Sequence, residues 1–67
     1  MPAAGSHLVL AEYESVDGAR TARVERTRHG WVVWRRGARV ETRVEVATEQ
    51  QAKRVARFWV RGGRRQP

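Results

Sequence analysis

The spacing of apolar residues divides the chain into an extended part and a helical part. Leu8 to Val16 and Ala19 to Arg28 are rich in strand-forming residues. Turn signals follow these two segments, at Asp17-Gly18 and His29-Gly30. Two further extended segments, "WVVWRR" and "RVETRVEVA", flank Gly37-Ala38, where a two-residue turn is expected. The pattern therefore predicts three or four short strands that pair antiparallel in meander order.

The helical part begins at Thr48, an N-cap residue followed three positions later by Gln51, which is the order of a capping box. Apolar residues then recur at the spacing of a buried helical stripe. The stripe comprises Ala52, Val55, Ala56 and Trp59, widened by Phe58 and Val60. Gly62-Gly63 predicts the end of the helix. The fold class is therefore α+β, a meander sheet packed against one C-terminal helix.

Length and composition limit the organisation of the chain. Its 67 residues suffice for one domain, which we assign to 8–62, between a flexible lead-in at 1–7 and a basic tail at 63–67. The sequence has no cysteine, no signal peptide and no apolar run of membrane-spanning length. These features favour a cytoplasmic location, in a bacterial or phage-infected cell, without disulfides or cofactors.

The alternation of side chains along a strand assigns the two neighbouring tryptophans to opposite faces. A two-residue turn at Gly37-Ala38 places Trp31 opposite Val44 on the core face, and Trp34 opposite Glu41 on the other. The remaining core-face residues are Val33, Val40, Thr42 and Val46, with Arg35 at the turn end. The opposite face also carries Val32, Arg36, Arg39, Arg43 and Glu45. Because one helix covers one sheet face, this second face has no partner within the predicted domain.

The strand before it is harder to assign, because a turn at His29-Gly30 places arginines on both faces. Arg23 and Glu25 are expected beside Trp34, whereas Arg26 and Arg28 fall on the core side with Ala22 and Val24.

Net charge indicates the kind of partner. Fourteen Lys and Arg against seven acids give +7, and thirteen of the fourteen cations are arginine. The arginine fork matches phosphate oxygens and guanine edges. A polyanion is therefore the favoured partner, and nucleic acid is the leading case.

The order of features from residue 22 to residue 58 resembles a known type of DNA-binding domain. "RVERTRHGWVVWRR", a turn, "GARVETRVEVAT" and "EQQAKRVARFW" are similar to the three-stranded sheet and helix of plant ethylene-response-factor domains and of the arm-site-binding domains of phage and transposon integrases. The resemblance implies that the exposed sheet face lies in the major groove. The residues that match the contacting face by position are Trp34, Arg36, Arg39 and Arg43, with Arg23 and Arg26 as candidates on the preceding strand.

A second basic surface follows from the helix periodicity. One helix face carries Gln50, Lys53, Arg54, Arg57 and Arg61, prolonged by Arg64 and Arg65. Such a face is either a solvated exterior or a contact for backbone phosphate or an acidic partner. His7 and His29 are isolated, and neither a metal site nor a catalytic pair is recognisable, so we expect no enzyme.

Two functions remain open at this stage. The first is a small double-stranded-DNA-binding protein, of phage or mobile-element origin, that uses the Arg and Trp residues of the sheet face. The second is a protein-interaction module that docks on an acidic host factor through the same face, or a homodimer through that face or through the first strand. RNA or single-stranded DNA, stacking on Trp34, is a third possibility.

Overall fold

The computed structural model describes residues 8–62. Four antiparallel strands form one sheet in sequence order, and one helix packs across a face of that sheet. The elements are β1 (Leu8–Glu14), β2 (Thr21–Thr27), β3 (Gly30–Arg36), β4 (Glu41–Val46) and α1 (Glu49–Val60). The predicted α+β meander is therefore confirmed. The predicted lead-in at 1–7 and tail at 63–67 lie outside the described residues.

The core lies between α1 and the two central strands. Its buried residues are Ala22, Val24, Val33, Ala52 and Ala56. The two helix alanines are completely buried, and their small side chains let the helix backbone approach β2 and β3 closely. Partly buried apolar residues from β1, β3, β4 and α1 surround this cluster, among them Trp31, Val44 and Trp59. Trp31 thus packs on the core side, as the strand alternation predicts.

The helix begins as predicted, with one difference in its capping. Thr48 Oγ1 accepts a hydrogen bond from the Gln51 N–H at 3.1 Å. The Gln51 side chain accepts from the backbone N–H of Ala47 at 3.2 Å, one residue before the position that a capping box predicts. Both bonds satisfy donors that would otherwise lack partners at the start of α1.

The β2–β3 turn and the β3–β4 loop both comprise residues other than those predicted. The β2–β3 turn is Arg28-His29, with Thr27 opposite Gly30, so Arg28 is exposed in the turn and not on the core face. The β3–β4 loop comprises four residues, 37 to 40, closed by the Gly37 N–H donating to Val40 O at 2.8 Å. Val40 is consequently 45% exposed in this loop, and the prediction that it belongs to the core is wrong.

The longer loop shifts the β3–β4 register by two residues. Trp34 lies opposite Arg43 instead of Glu41, and Trp31 lies opposite Val46 instead of Val44. Because side chains alternate with a period of two, this shift leaves every β3 and β4 side chain on its predicted face. The predicted placement of Arg26 on the core side also holds, and its guanidinium lies over the Trp31 ring at 5.3 Å.

Trp59 joins the C-terminal end of α1 to β3 and to the residue that precedes β2. Its Nε1–H donates to Arg36 O at 3.2 Å. The guanidinium carbons of Arg20 and Arg35 lie 4.5 Å and 5.2 Å from the centre of its ring. A side chain at Gly37 would crowd the indole, since a Cβ there would lie 3.3 Å from Trp59 Cζ2. This cluster explains why Arg35 can occupy the core side of the sheet.

Candidate functional site

The sheet face turned away from α1 is called the open sheet face here, and cross-strand pairing determines its members. The register groups Glu12, Arg23, Trp34 and Arg43 in one row across the four strands. Glu14, Thr21, Arg36 and Glu41 form the row beside it. Val9, Glu25, Val32 and Glu45 form the next row. The structure therefore brings together four of the predicted contact residues, Arg23, Trp34, Arg36 and Arg43.

The fifth predicted contact residue of the sheet, Arg39, lies elsewhere. It is exposed in the β3–β4 loop, because that loop has four residues instead of two. Arg26 also leaves the predicted contact set, since its guanidinium stacks on Trp31 on the helix side. The predicted phosphate contacts Arg64 and Arg65 lie outside the described residues.

The charges of the open sheet face are acidic in balance, because it carries five glutamates and three arginines. Each arginine is neutralised by a glutamate on the same face. Arg23 pairs with Glu25 at 3.0 Å. Arg36 pairs with Glu41 at 3.2 Å, and Arg43 pairs with Glu45 at 2.6 Å.

Two glutamates of this face, Glu12 and Glu14 on β1, form no ion pair with a described residue. The unpaired charges of the face are therefore carboxylates, and such a surface repels phosphate.

Trp34 is held in place by its neighbours. It is half-buried, and its Nε1–H donates to Glu25 Oε1 at 3.1 Å. The Arg43 guanidinium carbon lies 5.9 Å from the ring centre. Trp34 therefore packs on arginine and glutamate side chains of its own face, and this is one of the two roles that its position on a charged strand face suggests.

A small buried patch also lies on the open sheet face, apart from the main core. Val32 is only 2% exposed and Glu25 only 7% exposed, although the sequence predicts both residues on the solvent side. Next to this patch, a groove of about 430 Å³ runs from β1 to β4 past Trp34. Its lining includes Glu12, Glu14, Arg23, Trp34, Arg36 and Glu41. This groove carries more carboxylates than arginines.

The outer face of α1 is different in charge and in availability. Arg54, Arg57 and Arg61 recur three and four positions apart, opposite the buried Ala52 and Ala56. We call these three arginines the basic stripe. All three are exposed, and their side chains make no ion pair or hydrogen bond with a described residue. Unlike the arginines of the sheet, they are free to meet an external anion.

Two neighbours of the basic stripe depart from the sequence prediction. Phe58 is 54% exposed instead of buried, because it follows Arg54 by four positions and thus shares the outer face. The helical spacing was sufficient to find this position. Lys53, predicted as a phosphate contact, is half-buried and pairs with Glu49 at 3.1 Å. The outer face of α1 therefore combines one exposed aromatic ring with three arginines that have no partner in the described part of the chain.

Other kinds of site find little support in the described part of the chain. Residues 8–62 contain no group of three His, Cys, Asp or Glu side chains arranged to hold a metal ion. Within the same range, no helix has the length and apolar character needed to cross a membrane. Comparison with protein families, curated proteins and solved structures gives no match for this chain.

Proposed function

We propose that the protein is a non-enzymatic, cytoplasmic nucleic-acid-binding protein that contacts the phosphate backbone through the outer face of α1. The observation that carries the proposal is the distribution of unpaired charge. Among the described residues, the three exposed arginines of the basic stripe have no ion-pair partner, whereas the three arginines of the open sheet face each pair with a glutamate. Contact with phosphate favours unpaired cations, because breaking an existing ion pair offsets part of the gain.

The resemblance to sheet-plus-helix DNA-binding domains suggests a different interface on the same protein. In that mode the open sheet face enters the major groove, and Arg23, Arg36 and Arg43 contact DNA. Five glutamates on that face oppose this mode electrostatically. The two modes share the same partner chemistry and differ in which three arginines neutralise phosphates.

Phe58 adds an argument about the form of the nucleic acid. An exposed aromatic ring beside arginines is the arrangement on which unpaired bases stack, a contact worth about 1–3 kcal/mol per base. Duplex DNA offers no such base face to a helix surface. If single strands are the preferred form, Phe58→Ala weakens single-strand binding and leaves duplex binding nearly unchanged.

The experiment compares two variants that remove the same charge from opposite sides of the molecule. One replaces Arg54, Arg57 and Arg61 with Gln, and the other replaces Arg23, Arg36 and Arg43 with Gln. Binding to duplex DNA, single-stranded DNA and RNA is measured by fluorescence anisotropy over a salt series. Circular dichroism verifies that both variants fold.

The expected result is a change in the salt dependence of the helix variant alone. Losing three phosphate contacts reduces the slope of log K against log salt by about 2.7 for duplex DNA and about 2.1 for single strands. The sheet variant keeps the slope of the unmodified protein. The opposite outcome, in which the sheet variant loses the slope, assigns the contact to the open sheet face. If the unmodified protein binds none of the three nucleic acids at low salt, the proposal is wrong.

A protein partner is the second candidate function, and a different observation favours it. The open sheet face combines a half-buried tryptophan, paired arginines and a groove, with no α1 residue covering it. Tryptophan and arginine are the residue types that contribute most to protein interfaces. Because a protein partner would bind the open sheet face, on the side of the sheet away from α1, its binding does not exclude nucleic-acid binding by α1.

A further inference from the structure

The two edges of the sheet differ in the state of their charges. β4 is one edge, and its glutamates Glu41 and Glu45 are both neutralised by arginines of the sheet. β1 is the other edge, and its Glu12 and Glu14 make no ion pair with a described residue. Unpaired carboxylate charge on the sheet is therefore concentrated on one edge strand.

The geometry of these two glutamates restricts what can neutralise them. They lie two residues apart on the same strand face, so their Cα atoms are about 6.8 Å apart. Cations at alternate positions of a second extended strand have the same repeat. Adjacent cations on such a strand point to opposite faces, and only one of them can reach the glutamates.

The backbone of β1 completes the requirements for strand pairing. β1 pairs with β2 on one side, and among the described residues no strand pairs with its other side. A β-bulge between Val9 and Ala11 interrupts the regular ladder. The regular pairing surface is therefore the segment from Ala11 to Glu14, which contains both unpaired glutamates. Tyr13 in this segment faces the helix side and is half-buried.

We propose that the β1 edge binds an extended segment of a partner protein that carries Lys or Arg at alternate positions. The segment adds as a fifth strand, its backbone pairs with Ala11–Glu14, and its cations pair with Glu12 and Glu14. Intervening residues of the segment lie on the helix side beside Tyr13. The site is independent of the basic stripe, because the stripe lies on the other side of the sheet. Salt at physiological concentration also screens the interaction between exposed charges over about 8 Å.

The probe is a capped seven-residue peptide that alternates Thr with three Lys residues. Its isomer has the same composition with Lys at the first, fourth and seventh positions, so that no two Lys residues are two positions apart on one strand face, and a third peptide replaces Lys with Glu. Affinity is measured by calorimetry at physiological salt, and amide hydrogen exchange locates the bound peptide. Two protein variants are compared, Glu12→Gln/Glu14→Gln on the β1 edge and Glu41→Gln/Glu45→Gln on the β4 edge.

The alternating peptide is expected to slow amide exchange in β1 and not in β4, and to bind about five-fold more tightly than its isomer. Glu12→Gln/Glu14→Gln removes this preference, and Glu41→Gln/Glu45→Gln retains it. Equal binding of the two Lys isomers, tighter binding of the Glu peptide, or protection of β4 overturns the proposal.

Two further measurements test whether a second copy of this chain occupies the β1 edge, and whether peptide binding is independent of nucleic-acid binding. Concentration-dependent dimerisation through β1 without peptide overturns the proposal in favour of a second copy of this chain. The Arg54→Gln/Arg57→Gln/Arg61→Gln variant separates the two proposals, because it is expected to lose nucleic-acid binding while it keeps the peptide affinity. Failure of one binding activity therefore leaves the other open to test.

Discussion

Arg20 fastens the C-terminal end of α1 to the sheet, and its removal provides a quantitative test of how the helix is held. The residue lies between the β1–β2 turn and β2, and it is half-buried. Its Nη1 donates to Trp59 O at 3.1 Å and also to Gly62 O. Its guanidinium carbon lies 4.5 Å from the centre of the Trp59 ring. The proposed perturbation is Arg20→Met, which preserves an unbranched apolar side chain and removes the charge.

The expected loss of stability follows from these contacts. A hydrogen bond from a charged donor contributes about 1.5 kcal/mol at the lower end of its range, which suits a half-exposed group. Stacking on a partly exposed indole adds about 0.5 kcal/mol. A cation at a helix C-terminus adds about 0.3 kcal/mol or more. We therefore expect Arg20→Met to lower the free energy of unfolding by about 2 kcal/mol. This loss is large, because the total free energy of unfolding of a domain of this size is typically about 3–5 kcal/mol.

The assay is urea unfolding followed by tryptophan fluorescence and far-ultraviolet circular dichroism. With a slope of about 1 kcal/mol per molar urea, the midpoint of Arg20→Met falls by about 2 M. Arg54→Met is the matched control, because Arg54 is an exposed arginine of α1 that has no partner within residues 8–62, and its loss changes stability by less than about 0.5 kcal/mol. Equal midpoints for the two variants would refute the conclusion that Arg20 fastens the helix.

Two further predictions concern a turn and the two core-side tryptophans. The pKa of Asp17 is lowered from 3.8, because the Ala19 N–H and the Ser15 hydroxyl donate to its carboxylate. Asp17→Asn should therefore be less stable than the unmodified protein at neutral pH, and thermal midpoints should converge as the pH falls below 3.8 through the folded pKa; a constant difference across that range contradicts the role of the charge. Trp59→Phe removes an indole hydrogen bond, whereas Trp31→Phe removes a buried N–H without a partner among the described residues. We expect Trp59→Phe to be the more destabilising by about 1–2 kcal/mol in urea unfolding, and a reversed order would contradict this assignment.

Much of the fold followed from local pattern. The alternation of β3 assigns Trp31 and Trp34 to opposite faces, and this assignment survived a loop that is two residues longer than predicted. A shift of two residues preserves the faces because the side-chain period of a strand is two. Val40 shows the limit of the same reasoning, since the longer loop removed it from β4 and left it exposed. Turn length depends on which backbone groups pair, and composition determines that only loosely.

The candidate sites were less predictable, because they depend on which charges meet. The sequence places Arg23, Arg36 and Arg43 on one face, but it does not state that each has a glutamate at ion-pair distance. Pairing of this kind depends on strand register and on side-chain rotamers across neighbouring strands. The basic stripe of α1 was within reach of sequence reasoning, since helical periodicity alone assigns its arginines to the outer face.

The sequence by itself determined the order and type of the elements, the N-cap of α1 at Thr48 and the separation of the two β3 tryptophans. These features depend on residues close together along the chain, whose spacing repeats with the period of a strand or a helix. Only the tertiary structure decided which arginines are engaged and which are available. Arg20 meets the carbonyl of Trp59 across 39 positions of the chain, and the three arginines of the open sheet face meet glutamates that neutralise them. The sequence gives the number of charged residues, but whether an arginine can bind an external anion depends on the neighbours that folding brings next to it.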